Sequence, residues 1–141
     1  MSGARHFLDT NILIYTFDLT APRKASRAQG LVHDALASGK GMISYQVVQE
    51  FVAASRRLFP VALTFAELEK YWERTLRPLV AVHSSPTLFE RALDICRINQ
   101  ISWYDALIIA AALHGDCKVL YSEDLQHGRR FGDLVVENPF L

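Results

Sequence analysis

The chain has 141 residues, with 15 basic and 15 acidic side chains, and half of its residues are apolar. This length fits a single domain over residues 1–141, with enough apolar side chains for one core. The balanced charge excludes a global electrostatic signal for binding nucleic acid or membranes, so a metal or a small patch must hold any polyanion. No leader peptide or membrane span is indicated, and neither cysteine has metal-ligand spacing, so a cytoplasmic protein with reduced thiols is expected.

Short apolar runs alternate with longer helical patterns along the chain, which indicates βα units and a mostly parallel sheet. The first strand is predicted at residues 6–8 and runs directly into Asp9, which is followed by Thr10 and Asn11. An acid therefore lies where a short buried strand gives way to the next element.

The second unit repeats this arrangement with a glutamate. A helix is predicted over residues 22–37 and a strand over residues 41–45, where a glycine opens the apolar run. From Gln46 the spacing becomes helical, and Glu50 falls roughly 60° from the centre of the apolar face. Glu50 is thus expected at the margin of the buried stripe, where it can face a cleft.

The middle of the chain predicts packing elements. Thr64 and Glu67 form a capping box that opens a helix, which Pro78 is expected to end. Residues 79–82 then form a short strand or an extended connection. A further helix begins at Pro86, and its inward stripe is predicted to consist of Phe89, Ala92, Leu93 and Cys96.

The last third of the chain contains two more acids beside buried elements. Asp105 opens a helix whose body is apolar on all sides, which places this acid at the mouth of the core. A strand over residues 118–121 leads through Ser122 to Asp124, and this repeats the placing of the first acid. The last strand is predicted over residues 134–136, after a glycine- and arginine-containing loop.

Four carboxylates therefore follow strands or open the most buried helix: Asp9, Glu50, Asp105 and Asp124. Residues just beyond the carboxyl ends of strands in an open α/β sheet share one crevice, so these acids can converge. Converging carboxylates repel each other and need a cation, which hard divalent ions supply. The pattern predicts metal-dependent phosphodiester hydrolysis, although each acid alone also fits a helix cap, a turn or a solvated position.

Polar, basic and aromatic neighbours add candidate supporting residues. Hydroxyl and amide groups beside the acids could hold a carboxylate or a metal-bound water: Thr10, Asn11 and Ser122. Two arginine pairs could line a phosphate track: Arg56, Arg57, Arg129 and Arg130. Aromatic rings near the cleft could stack on bases, although core packing is favoured for the tryptophan: Tyr45, Trp103 and Tyr104. As isolated residues, the arginines and the turn formers also have ordinary structural interpretations.

Four motifs stand in the order typical of PIN domains: Phe7-Leu8-Asp9-Thr10-Asn11, Ser44 with Glu50-Phe51, Tyr104-Asp105-Ala106 and Tyr121-Ser122-Glu123-Asp124-Leu125. The chain resembles this family over nearly its whole length, and its short form resembles the VapC toxins of bacterial toxin–antitoxin pairs. The resemblance implies a three-layer α/β/α fold with a central, mostly parallel sheet. It also implies endoribonuclease activity, homodimerisation and inhibition by a cognate antitoxin.

Carried over residue by residue, the resemblance assigns the Mg²⁺ or Mn²⁺ site of the family to Asp9, Glu50, Asp105 and Asp124. Glu123 adjoins the last of these and is a possible auxiliary, but the Ser-x-Asp pattern beginning at Ser122 favours Asp124. The main alternative function is a catalytically inactive PIN-fold module that binds a protein or RNA partner. A phosphohydrolase of the haloacid-dehalogenase type is disfavoured because Asn11 occupies the place of its second Asp.

Overall fold

A six-stranded sheet flanked by helices forms the centre of this computed structural model, which describes residues 3–141. The strands are β1 (His6–Leu8), β2 (Gly41–Ser44), β3 (Val80–Val82), β4 (Val119–Tyr121), β5 (Arg130–Phe131) and β6 (Leu134–Glu137). Their order is β3-β2-β1-β4-β6-β5, and only the β5–β6 pair is antiparallel. The predicted α/β/α architecture with a mostly parallel sheet is confirmed. Met1 and Ser2, part of the segment predicted to carry no leader peptide, lie outside the described residues.

The helices connect these strands in the expected βα alternation. They are α1 (Thr10–Tyr15), α2 (Pro22–Ser38), α3 (Tyr45–Arg57), α4 (Phe65–Tyr71), α5 (Arg77–Leu79), α6 (Pro86–Asn99) and α7 (Trp103–His114). Side-chain oxygens of Asp9, Ser44, Ser85 and Ser102 cap the N-termini of α1, α3, α6 and α7, respectively. No helix within residues 3–141 combines the length and apolar character needed to cross a membrane.

The helix that opens at the capping box continues past Pro78, contrary to the prediction. The box forms as expected, with reciprocal hydrogen bonds between Thr64 and Glu67. A π-helical turn over Trp72–Leu76 then joins α4 to α5, and Pro78 lies in the first turn of α5. Because Pro78 has no N–H to donate to the preceding turn, the helical region ends one residue later, at Leu79. The chain enters β3 directly afterwards.

The core lies around the central strands and α7. Phe7 of β1, Ile43 of β2 and Leu120 of β4 are fully buried, as is most of the body of α7. The predicted inward stripe of α6 is only partly correct, because Phe89 and Leu93 are 52% and 49% exposed. Since α6 packs chiefly against α7, a narrow face suffices to bury it.

Strand β5 was not expected from the sequence. Arg130 and Phe131 pair with Val135 and Leu134, across a turn in which Gly132 has a φ of +60°. Glycine adopts this left-handed conformation without the steric cost of a side chain. Two residues are too few to show a strand period, so the pattern of the sequence could not reveal this hairpin.

Candidate functional site

The sheet topology brings the four predicted acids to one edge. Strand β1 lies between β2 and β4, and all three run parallel, so their carboxyl ends meet. Asp9 follows β1, Glu50 lies in the second turn of α3 after β2, and Asp124 follows β4 by three residues. Asp105 lies in the first turn of α7. Four segments that are distant in sequence therefore contribute one carboxylate each.

Asp9 is the buried member of this group, with only 6% of its surface exposed. Its Oδ1 accepts a hydrogen bond from the Thr10 N–H, and its Oδ2 accepts one from the Ser122 hydroxyl, both at 2.7 Å. Burial is the largest cause that raises the pKa of Asp9 to about 7. Repulsion from Asp124 and Glu50 adds to this effect, and the hydrogen bonds from Ser122 and Thr10 only partly oppose it. A positive charge at this position would reverse the shift.

Glu50 is held at both of its carboxylate oxygens. The Thr10 hydroxyl donates to Oε1 at 2.5 Å, and the Gln46 amide donates to Oε2 at 3.1 Å. The same Gln46 nitrogen lies 3.5 Å from the Tyr104 carbonyl oxygen in α7. Gln46 was not among the predicted site residues, although its position one helical turn before Glu50 was a signal that could have revealed it.

Asp105 and Asp124 complete the group from the more open side. The Asp105 N–H donates to the Ser102 hydroxyl at 3.2 Å, so Asp105 is part of the cap of α7 while its side chain remains partly accessible. Desolvation and repulsion from Asp105, Glu123 and Glu50 raise the pKa of Asp124, and the Asn11 amide opposes this shift. Burial is the largest cause of the raised pKa of Asp124, and the neighbouring carboxylates add to it.

The three predicted supporting residues all lie among these acids. Thr10 binds Glu50, and Ser122 binds Asp9 while accepting a hydrogen bond from the Asp124 N–H at 3.2 Å. The side-chain amide of Asn11 is buried and, among residues 3–141, neither of its polar atoms meets a partner at full hydrogen-bond geometry, but the amide lies close enough to Asp124 to lower the pKa of that carboxyl. Asn11 therefore lies beside Asp124 within the acid group.

Replacing Ser122 with alanine is expected to lower the free energy of unfolding by about 1–3 kcal/mol. The change removes the donor to the buried Asp9 carboxylate and the acceptor of the Asp124 N–H. Urea denaturation of Ser122→Ala measures the loss. Ser38→Ala is the matched control, since that hydroxyl is exposed and contacts only the Lys40 N–H. Equal stability of the two variants would contradict the expected contribution of Ser122.

Glu123 points toward α1 and α2. It accepts hydrogen bonds from the Tyr15 hydroxyl and the Lys24 ammonium, both at 2.5 Å. Desolvation alone would raise the pKa of Glu123, but these two donors lower it. Because both oxygens are engaged, the geometry argues against an auxiliary metal-binding role for Glu123.

Two of the four predicted arginines donate to backbone carbonyl oxygens of this chain, and the other two lie on the exposed surface. Arg56 donates to the Leu63 carbonyl oxygen at 2.6 Å, and Arg129 donates to the Asn99 carbonyl oxygen at 3.3 Å. Each of these two residues thus has a structural partner within its own chain. The other two candidate arginines are exposed: Arg57 and Arg130. A contact of these arginines with RNA stays a prediction.

The three aromatic candidates lie at the N-termini of α3 and α7. Tyr45 and Tyr104 are 43% and 64% exposed, at the beginnings of α3 and α7. Trp103 is partly buried and packs edge-to-face on Phe89, with ring centroids 4.8 Å apart. Tyr45 also lies beside the His83 ring, with centroids 6.0 Å apart, so Tyr104 is the most accessible of the three rings.

The donor set of this site suits a hard divalent cation. Within residues 3–141, no three His, Cys, Asp or Glu side chains are arranged as they stand to hold a metal ion. All four candidate donors are nevertheless carboxylates, and Mg²⁺ typically keeps several waters and needs only one or two of them. The raised pKa of the buried Asp9 carboxyl is a feature that a hydrated cation would relieve. The donor set therefore fits Mg²⁺ or Mn²⁺.

A mostly parallel sheet with carboxylates beyond its strand ends defines the class of protein. The model of the PIN domain family matches residues 6–130, so the chain belongs to the PIN domain family. No curated protein matches the chain.

Three solved structures share this fold. A chain of a toxin–antitoxin complex from Klebsiella pneumoniae superposes with a TM-score of 0.67 at 18% identity, covering 95% of this chain and 97% of that one. FitAcB from Neisseria gonorrhoeae has a TM-score of 0.63 at 19% identity and coverages of 96% and 98%. VapC20 from Mycobacterium tuberculosis, described as a Sarcin-Ricin loop cleaving toxin, has a TM-score of 0.57 at 19% identity and coverages of 83% and 88%. At these identities the likeness establishes the fold.

Proposed function

We propose that this protein is a Mg²⁺- or Mn²⁺-dependent endoribonuclease that hydrolyses RNA phosphodiester bonds, and that it is the toxin of a toxin–antitoxin pair. The observation that carries the proposal is the gathering of Asp9, Glu50, Asp105 and Asp124 at one sheet edge, with Asp9 buried and its pKa raised. Membership of the PIN family supports nuclease chemistry. The RNA-cleaving description of a protein with the same fold supports the choice of RNA.

In the proposed reaction a water oxygen attacks the phosphorus in line, and the bond to the leaving oxygen breaks. Asp9 and Asp105 are the first candidates for direct metal ligands, with Glu50 and Asp124 completing the site directly or through water. One of these carboxylates accepts the proton of the attacking water as general base. A divalent ion held by these carboxylates would lower the pKa of a bound water and would stabilise the negative charge that develops on oxygen. Thr10 and Ser122 orient the carboxylates through the hydrogen bonds already described.

The proposal extends to the partners of the protein. A cognate antitoxin is supported by the toxin–antitoxin complex that shares the fold. Homodimerisation is proposed because the family resemblance implies it. A cytoplasmic location is proposed because it would place the enzyme with its RNA substrate. Both proposals concern one PIN domain over residues 1–141.

The experiment that tests this function is cleavage of defined structured RNAs by purified, antitoxin-free protein. Cleavage with Mg²⁺ or Mn²⁺ and none with EDTA is the expected result. A phosphomonoester is offered in parallel, and its hydrolysis in place of RNA would assign the site to a small-molecule phosphohydrolase instead. Metal-loaded, folded protein that binds RNA without cutting it would favour the non-catalytic binding module.

A further inference from the structure

The residue before Asp124 is anchored to two helices that are distant in sequence. Tyr15 at the end of α1 and Lys24 in the first turn of α2 both donate to the carboxylate of Glu123. The Lys24 and Glu123 side chains are 38% and 25% exposed, so this is a partly shielded contact. The ammonium of Lys24 also lies 3.4 Å from the Tyr15 hydroxyl oxygen. The three side chains therefore form a closed triangle beside the fourth acid of the site.

The carboxyl-terminal segment completes this arrangement. The ring of Phe140 meets the Tyr15 ring edge-to-face, with centroids 5.0 Å apart. The Lys24 ammonium lies 4.8 Å from the Tyr15 ring centroid and 5.5 Å from that of Phe140. We call Tyr15, Lys24, Glu123 and Phe140 the Glu123 anchor. Packing against two rings restricts the lysine to a position where its charge meets Glu123.

The segment that carries Asp124 is thereby fixed on both sides. Ser122 binds Asp9 toward the interior, and its hydroxyl accepts from the Asp124 N–H. The next residue, Glu123, is held by Tyr15 of α1 and Lys24 of α2. Asp124 itself is exposed, so the position of its carboxylate depends on the backbone that these neighbours hold. The placement matters because a misplacement of about 1 Å can cost two orders of magnitude in rate.

We propose that Lys24 and Tyr15 are positioning residues that act through Glu123 to hold Asp124 at the acid cluster. The consequence for catalysis rests on the proposed nuclease function, whereas the ordering of the Ser122–Asp124 segment does not. An exposed ion pair by itself adds little to global stability, so the anchor acts on local order and on the reaction rate. Nothing in the family motifs identifies Lys24, which lies 99 residues from its partner in sequence.

The test compares Lys24→Met with Lys118→Met. The control also removes a lysine that pairs with a carboxylate, since Lys118 lies 3.8 Å from Asp133. Lys118 precedes β4 and so lies at the opposite end of that strand from Asp124. Hydrogen exchange of the Asp124 amide, measured by NMR on metal-free protein, is expected to accelerate roughly tenfold in Lys24→Met and to stay unchanged in Lys118→Met. Tyr15→Phe, which removes only the hydroxyl, is expected to accelerate it less.

A second readout follows RNA cleavage by the same variants. Lys24→Met is expected to lower kcat roughly tenfold while KM for RNA changes less than about twofold, because the anchor places a catalytic carboxylate and not the substrate. Lys24→Arg keeps the positive charge and is expected to restore both exchange protection and kcat. If Lys24 contributed only to global stability, Lys24→Met would not lower kcat of the folded enzyme selectively. Lys24→Arg would then have no loss of kcat to restore.

The outcomes separate this inference from the proposed function. Unchanged exchange at Asp124 in Lys24→Met, or an equal change in Lys118→Met, would overturn the anchor. Accelerated exchange with unchanged kcat would overturn its role in catalysis. A wild-type protein that cuts no RNA would instead contradict the nuclease proposal, and the exchange measurement would still decide whether the anchor orders this segment.

Discussion

Asp9→Asn is expected to lower the rate of RNA cleavage by roughly a thousandfold or more, since it removes several kcal/mol of metal-based stabilisation. The substitution deletes one negative charge at nearly constant volume. The asparagine oxygen still accepts from the Thr10 N–H, and the buried site no longer carries a charge that burial disfavours. The metal-free variant should therefore be folded and at least as stable as the wild type, so the loss of activity reports chemistry and not unfolding.

The matched control for this substitution is Asp94→Asn. Asp94 lies on α6, where its side chain is 68% exposed and pairs with Arg97 at 3.3 Å. Its loss should leave the cleavage rate unchanged, because an exposed pair far from the acids contributes little. Cleavage by folded Asp9→Asn protein at the wild-type rate would remove the central residue from the proposed site.

The stability of the metal-free protein is expected to fall as the pH rises from about 4 to above 7. The pKa of Asp9 is raised from 3.8 to about 7 by burial, and hydrogen bonds from Ser122 and Thr10 only partly offset it. The folded state therefore holds this proton more tightly than the unfolded chain does. That stabilisation is complete below the unfolded pKa and is lost as the pH passes the folded pKa, by up to roughly 4 kcal/mol.

Urea denaturation at pH 5 and pH 8, in the presence of a chelator, measures this dependence. Asp9→Asn should flatten it, because the variant lacks the titrating group. Mn²⁺ should raise the stability of the wild type at pH 8 more than at pH 5, since the cation binds the ionised carboxylates. A wild-type protein whose pH dependence matches that of Asp9→Asn would show that this carboxyl titrates without effect on folding.

The sheet and the placing of its acids were predictable because both depend on local pattern. Short apolar runs mark β1, β2 and β4, and the topology of parallel strands puts whatever follows them at a common edge. That rule predicted the neighbourhood of Asp9, Glu50 and Asp124 before any distance was known. The all-round apolar body of α7 likewise predicted its burial and the position of Asp105 at its start.

The hydrogen bonds that Thr10 and Ser122 make to the acids were anticipated from their positions beside them, whereas the contacts that hold Glu123 were beyond the reach of sequence patterns. Tyr15 and Lys24 meet Glu123 from 108 and 99 residues away, and no periodicity relates such positions. The prediction of the buried face of α6 was partly wrong for a similar reason. The face that α6 buries depends on its packing against α7 and not on its own sequence alone. Gln46 was not predicted either, although its helical spacing from Glu50 was visible in the sequence.

The central claim is that these carboxylates form one divalent metal site, and an anomalous difference map from crystals grown with Mn²⁺ tests it most directly. We expect a peak at the carboxyl edge of β1, with oxygens of Asp9 and Asp105 among its ligands at roughly 2.0–2.2 Å and waters completing the shell. Millimolar Mn²⁺ that leaves this edge without a peak, or a peak held by other residues, would contradict it.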